Sequence, residues 1–357
     1  MSLGLPTSEF ASWAVPGTSH HSIGGESAPM HYRHTAAVAA LALSLGLTAC
    51  GADDSEGTAG KGAAGDDFPA TVATEFGDVT IDEAPERVVA LGWGDAETAL
   101  ALGVQPVGAS DWLGFEGEGV GPWADGLYEE APELIGTLEP SYEQIASLKP
   151  DLILDVKSSG EQERYDRLSQ IAPTVAIPEG KQSFLTSMEE QVTMISTALG
   201  APEKGEELLA DVEQQFADAA AEHPEFQDKT ISVAAFTSEG WGAYIQGNER
   251  VAFMERLGFE QNPAIEELTP EGFTAKLANE QIGVLDADLL VVFPIWLPAT
   301  DVTDQPLFQQ IPAVQDGRSI VFTDDDEDIR QSYSANTVLS VPFALESVVP
   351  MLADAVG

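Results

Sequence analysis

From Phe68 onward, short apolar runs alternate with segments of helical period. Residues 71–76 and 79–81 flank Gly77-Asp78, the signal of a β-hairpin. Strands are predicted at 87–91, 104–108, 152–156 and 174–177, with helices between them at 95–102, 141–148 and 161–171. A largely helical stretch follows over 184–222, punctuated by Gly200-Ala201-Pro202, which divides it into two helices. The alternation resumes with strand 231–236, helix 249–257, strands 289–293 and 319–322, and a final helix over about 335–355. Strands separated by helices imply parallel βαβ units. The predicted plan is an α/β lobe over 68–183, a helical connector over 184–222, and a second lobe over 223–357.

An internal repeat supports two equivalent lobes. Residues 141–154 (SYEQIASLKPDLIL) align without gaps to 278–291 (ANEQIGVLDADLLV), with six of fourteen positions identical. Each copy reads as a short helix, an Asp-bearing turn and a buried strand.

The chain upstream of this pattern is of another kind. Residues 35–49 form an apolar run too short for a spanning helix, which needs roughly 20 residues. Preceded by His31, Arg33 and His34, the run has the charged, apolar, then small pattern of a secretory signal. Its end, Leu47-Thr48-Ala49-Cys50, resembles the lipobox of bacterial lipoproteins. That resemblance implies cleavage before Cys50 and a diacylglycerol on its thiol, and two acyl chains anchor stably where one is marginal. Residues 51–67 contain no large apolar residue, so 50–67 reads as a lipidated flexible tether. Residues 1–29 fit no export signal, which makes Met30 a candidate start and 30–49 the signal within an upstream segment 1–49.

Composition narrows the function. At 357 residues, 43% of them hydrophobic, the chain can bury a large core in two lobes. It carries 60 acidic against 15 basic residues, a formal net charge of -45. With no basic stripe, nucleic-acid binding and charge attraction to anionic lipid are excluded. The acidity reads as a device for a soluble monomer, or alternatively as a means of gathering a cationic ligand. A single cysteine leaves no intramolecular disulfide.

The lipobox, the Gly77-Asp78 hairpin and the segments 85–91 (PERVVAL), 97–104 (ETALALGV), 141–154 and 336–346 together resemble the substrate-binding proteins of ferric-siderophore and cobalamin ABC importers. The resemblance covers about 68–357. It implies two Rossmann-like α/β lobes with mostly parallel central sheets, joined by a long helix, with the ligand in a cleft between them. The helix at about 203–222 is the expected spine. The family docks one glutamate from each lobe onto arginines of a permease dimer, and those positions match Glu143 and Glu280, the third residue of each repeat copy. An exported chain on the outer face of the cytoplasmic membrane, with no intrinsic cofactor and no catalysis, is the implied setting.

In open α/β sheets, ligands sit outside the carboxyl ends of the strands. Just past the predicted strands stand Trp93, Trp112, Lys157, Trp241, Tyr244 and Trp296, then the acidic run 324–328 with Arg330. Arg250 stands at the start of the helix predicted over 249–257. Aromatic walls suit a bulky, partly apolar ligand and attract cations through the ring face. Anionic ferric catecholates call for several converging cations. Only Lys157, Arg250 and Arg330 are candidates, which favours a neutral or cationic ferric hydroxamate. Pairing of the arginines with Glu249 or Asp328 is the alternative account of them.

Direct zinc or manganese capture requires a shell of histidines and carboxylates, and only His223 follows Cys50. An all-carboxylate calcium site in 324–328 lacks the spacing of a known loop. Haem, with Tyr244 or Tyr333 as axial ligand, and cobalamin remain rival cargoes. The reading from another class is a secreted carboxylate-dependent hydrolase, against which stand the scarcity of histidine and the lack of a Gly-x-Ser-x-Gly elbow.

Overall fold

The structure is a computed structural model that describes residues 65–357. The signal segment, Cys50 and the tether as far as residue 64 lie outside the described residues. The tether ends slightly earlier than expected: the Gly65 amide donates to Leu199 O at 2.8 Å and the Asp67 amide to Gly200 O at 3.2 Å.

The chain enters through the expected hairpin, β1 (Ala70–Thr74) and β2 (Gly77–Ile81). The first lobe then lays down β3 (Val88–Ala90), α1 (Asp95–Ala101), β4 (Gly108–Ser110), β5 (Glu133–Ile135), α2 (Tyr142–Ser147), β6 (Leu152–Leu154), α3 (Gln162–Leu168) and β7 (Thr174–Val175). Its sheet has the order β5-β4-β3-β6-β7, with every pair parallel. Its central strands β3 and β6 are apolar on both faces because helices cover both sides, while edge strand β5 keeps Glu133 exposed. The strand expected at 104–108 begins only at Gly108, and β5 was not anticipated. At three residues, β5 is too short to show a period.

The connector forms α4 (Met188–Ala198) and α5 (Pro202–Glu222), folded back at Gly200, whose φ of +66° is open to glycine. Ser187 and Glu190 close a reciprocal capping box at the start of α4. The expected spine, the second helix, shares that role with the first. Met188 and Val192 of α4 pack in the second lobe's core, while Met194, Ile195, Ala198 and Leu199 pack in the first lobe's core. Val212 and Phe216 of α5 pack only in the second. Leu208 of α5 packs against both cores, so both helices of the connector bridge the lobes.

The second lobe comprises β8 (Thr230–Thr237), β9 (Gly240–Tyr244), α6 (Glu249–Arg256), β10 (Glu260–Gln261), α7 (Pro263–Glu266), β11 (Thr274–Leu277), β12 (Leu289–Pro294), α8 (Thr300–Thr303), α9 (Pro312–Gln315), β13 (Ser319–Val321), α10 (Glu327–Ala335) and α11 (Ser340–Val356). Its sheet runs β11-β9-β8-β12-β13, with β10 beside β8. The pairs β8–β12, β12–β13 and β8–β10 are parallel, whereas β9 and β11 extend the sheet antiparallel. The predicted final helix is α11, which begins about five residues later than expected, and α10, which was not anticipated, ends before it at Asn336 with a φ of +44°. Asparagine is among the few residues that tolerate that conformation.

The repeat copies differ in one respect. The first is the α-helix α2, its amino end capped by the Ser141 hydroxyl accepting from the Gln144 amide. The second, Asn279–Leu285, is a 3-10 helix. It lacks a side-chain cap of that kind, carrying Ala278 there and Gly283 inside, both unfavourable to an α-helix.

Candidate functional site

Strands β4, β3 and β6 are neighbours, so the residues just past their carboxyl ends converge. The Trp93 amide donates to Lys157 O at 2.9 Å, locking the two strand ends together. The Trp93 ring stacks on Trp112 at 4.6 Å and 8° and on Phe184 at 4.1 Å and 23°, a three-ring sandwich with Trp93 in the middle. The Trp93 indole N–H donates to Thr137 Oγ1 at 3.1 Å, which fixes the orientation of the stack. Phe184 holds a φ of +58°, costly for an aromatic residue, and its amide is anchored on Ser158 O at 2.9 Å.

The facing wall belongs to the second lobe. Phe273 turns its edge to Trp93 at 6.0 Å and to Phe184 at 6.2 Å, and lies parallel to Tyr244 at 6.4 Å. The Arg250 guanidinium covers the Tyr244 ring at 4.8 Å and the Phe293 ring at 5.6 Å. Arg330 stands in the same field, with Glu327 3.6 Å from its guanidinium. At the rim, the Trp296 ring approaches so closely that a Cβ on Gly114 would lie 3.0 Å from it, and Gln331 Nε2 donates to Leu113 O at 3.2 Å. Loop 111–119 of the first lobe is thereby held against the second.

Two cations of this region, Lys157 and Arg250, make no ion pair among the described residues. Lys157 is 6% exposed, and its ammonium makes no ion pair or hydrogen bond among the described residues. Burial pulls its pKa below the usual lysine value; nearby Glu249 and Asp95 oppose the shift and Arg250 adds to it. Arg250 is 8% exposed, and its Nε is buried without a partner. The hydroxyls of Ser110 and Ser158, at the ends of β4 and β6, are likewise buried and unpaired. Buried donors left open cost about 1–3 kcal/mol each. Three such atoms, Ser110 Oγ and Ser158 Oγ at their strand ends and Arg250 Nε at the start of α6, stand with the Lys157 ammonium beside an aromatic wall and suit a bulky ligand rich in oxygen acceptors.

Asp95, at the start of α1, braces the floor. Its carboxylate accepts from the Gly92 amide at 3.1 Å, the Val156 amide at 2.8 Å and Gln191 Nε2 at 2.6 Å. Burial still raises its pKa from 3.8 to about 6, against those bonds.

Residues 88–326, two thirds of the chain, match the family described as periplasmic binding protein. The chain belongs to that family. The probable siderophore-binding lipoprotein YfiY of Bacillus subtilis (strain 168) is 31% identical over 253 residues, covering 66% of this chain and 74% of that one. Among solved structures, a periplasmic solute binding protein from Mycobacterium smegmatis str. MC2 155 superposes with a TM-score of 0.70 at 29% identity, over 82% of this chain and 100% of that one. Streptococcus pneumoniae TIGR4 PiaA in complex with ferrichrome superposes with a TM-score of 0.69 at 26% identity, over 80% and 98%. Two α/β lobes with a cleft between them are therefore the architecture of this periplasmic binding protein, as the sequence implied.

Within that frame the expected site residues divide. Trp93, Trp112, Lys157, Tyr244, Arg250 and Arg330 gather around one region, and Trp296 stands at its rim, 50% exposed. Trp241 does not join them. It and Tyr244 lie within β9, not in a loop, and their odd separation puts them on opposite faces of the sheet. Trp241 is 2% exposed, packs against Phe308 at 5.8 Å and donates its indole N–H to Gln305 Oε1 at 3.2 Å. Tyr333, a haem-ligand candidate, is fully buried and donates its hydroxyl to Arg250 O at 2.6 Å. The run 324–328 forms a 3-10 turn and the start of α10, in which Asp326 accepts from the Thr323 amide and hydroxyl.

Glu143 and Glu280 are both exposed, each in the first turn of its helical segment. Glu143 borders an open hollow of about 520 Å³ that also touches Glu139, Glu163, Arg164 and Arg167. The residues missed by strand-end reading are Phe184 and Phe273 and the buried acids Asp95 and Glu97; Glu249, weighed as a partner of the arginines, instead accepts from the Met188 amide and Asn336 Nδ2. The positions of Asp95 and Glu97 on a short helix gave no sign that both point inward.

Proposed function

We propose that this chain is an exported, lipid-anchored solute-binding protein that captures a ferric siderophore and delivers it to an ABC permease in the membrane. The observation that carries the reading is the convergence of two unpartnered buried cations, Lys157 from one lobe and Arg250 from the other, beside the Trp93–Trp112–Phe184 stack. A ferric hydroxamate presents iron-bound oxygens that accept from both cations and an apolar envelope that packs on the rings. Membership of a family of transporter binding proteins, a relative named for siderophore binding and a neighbour holding ferrichrome support it. The cargo is bound and released unchanged. Anchoring through Cys50 places the lobes on the outer face of the cytoplasmic membrane, and exposed Glu143 and Glu280 present one carboxylate per lobe to a permease dimer.

The test is a titration followed by intrinsic tryptophan fluorescence against ferrioxamine, ferrichrome, a ferric catecholate, haem and cobalamin. Sub-micromolar quenching by the hydroxamates is expected. Tight binding of haem or cobalamin with none of the ferric chelates would overturn the siderophore reading, and hydrolysis of glycosides with no chelate binding would overturn the transport reading.

A further inference from the structure

The segment 336–346 stood out in the sequence, yet ligand capture does not use its first two residues. Both sit in a polar seam between the lobes. Glu97, on α1 of the first lobe, is 3% exposed, and its Oε2 accepts from Trp123 Nε1 at 2.9 Å and from the Thr337 hydroxyl of the second lobe. Glu249, on α6 of the second lobe, is 8% exposed; its Oε1 accepts from the Met188 amide at 3.0 Å and its Oε2 from Asn336 Nδ2 at 2.6 Å. Met188 is the first residue of α4, one of the two helices that bridge the lobes.

Two buried carboxylates, one from each lobe, thus grip adjacent residues of a single turn. We propose that Glu97 and Glu249 act through Asn336 and Thr337 as a brace that sets the angle between the lobes before any ligand arrives.

Three observations support positioning over mere packing. Glu97 is satisfied by neutral donors alone, and burial raises its pKa; a buried charge without a cation is costly. The turn it meets is specified on both sides. Asn336 takes a φ of +44°, and Gly94, at +80°, comes so close that a Cβ there would lie 2.7 Å from Thr337 Cγ2. Finally, the brace adjoins the cleft floor: Arg250 follows Glu249 directly, and Lys157 lies in the field of Glu249. Its geometry therefore fixes how far Arg250 and Phe273 stand from Lys157 and the Trp93 stack.

The experiment uses the full chain carrying Cys50→Ser, with spin labels on Glu130→Cys in the first lobe and Gln309→Cys in the second, both exposed. Pulsed electron resonance reads the distance distribution without ligand. Thr337→Val removes, at constant size, the hydroxyl that donates to Glu97 and that also accepts from the Ser340 amide at 3.2 Å. It should broaden the distribution and shift it to longer distances, as should Glu97→Gln, while Thr337→Ser keeps the parent distribution. The double variant should be no broader than the wider single, since both remove the same Glu97–Thr337 bond. An unchanged distribution in Thr337→Val overturns the brace even if Glu97→Gln fails to fold. Because no ligand is present, that failure is separate from any failure of siderophore binding.

Discussion

Asp151 and Asp288, equivalent residues of the internal repeat, clip neighbouring strands together in the same way. Asp151 accepts from the Glu86 and Arg87 amides at 2.8 and 2.9 Å, at the entry to β3; Asp288 accepts from the Thr230 amide and hydroxyl at 2.9 and 3.0 Å, at the entry to β8. Each stands just before the strand that pairs in parallel with the one it holds, β6 beside β3 and β12 beside β8. A two-point clip at a strand's start fixes register, and a slip of one residue would turn every side chain to the wrong face.

Asp288→Ala should therefore destabilise the protein by about 1–2 kcal/mol at pH 7. The Thr230 amide holds the Asp288 pKa below its usual 3.8, opposed by partial burial and helped by the Thr230 hydroxyl. A depressed carboxylate contributes above 3.8 and loses that contribution as pH falls through its folded value. Urea unfolding should show the gap between parent and variant shrinking from pH 7 to pH 3. A gap that stays constant would remove the charge from the account.

Asp95 has the opposite sign. Its folded pKa of about 6 exceeds the ordinary 3.8, so the folded state holds the proton more tightly. Its contribution is full below 3.8 and is lost as pH rises through about 6. In Asp95→Asn, which cannot titrate, the parent-minus-variant stability should fall between pH 4 and pH 6 and stay flat above. Chemical unfolding at half-unit steps of pH checks this, and a difference that rises with pH would contradict it.

The tryptophan placements make the fluorescence signal assignable. Trp93 and Trp112 form one stack in the cleft, whereas Trp241 faces the second lobe's core. Trp93→Phe and Trp112→Phe should each remove a large share of the ligand-induced quench, while Trp241→Phe leaves it nearly intact. Quenching that survives both cleft substitutions and disappears with Trp241 would mean the ligand sits elsewhere.

Sequence pattern located the two lobes because their strands are short, apolar and separated by helices, as at 152–156 and 289–293. It placed Lys157 and Trp93 well, since a strand's carboxyl end is readable from where the apolar run stops. It failed for Trp241, where the tight turn after β8 returned the chain as another strand, and alternation within β9 decided which ring faced which side. Phe184 and Phe273 reach the cleft through backbone bends and long-range packing that no local period encodes. Helix α10 was missed for a similar reason: its start lies in the acidic run 324–328, which reads as a solvated turn, and its end at Asn336 is set by the bonds to Glu249.

Lys157 should trade stability against binding. Its buried ammonium has no bonded partner among the described residues, so Lys157→Met removes a desolvation cost while keeping an unbranched side chain. The variant should melt at a higher temperature than the parent, yet bind the ferric chelate about tenfold more weakly, the loss of one charge-assisted bond. Calorimetry read alongside the fluorescence titration checks both halves. A variant that is both less stable and unimpaired in binding would reduce Lys157 to a structural residue.

Glu143 and Glu280 should matter only when the permease is present. Both are exposed and lie away from the Trp93 stack in sequence and in element, so the double variant Glu143→Ala, Glu280→Ala should match the parent in melting temperature and chelate affinity. Each lost carboxylate would leave a permease arginine unpaired, and two such losses across one interface should lower uptake of radiolabelled ferric chelate by about tenfold or more. Uptake in cells expressing the variant, compared with each single substitution, separates delivery from capture. Full uptake by the double variant would remove these glutamates from docking.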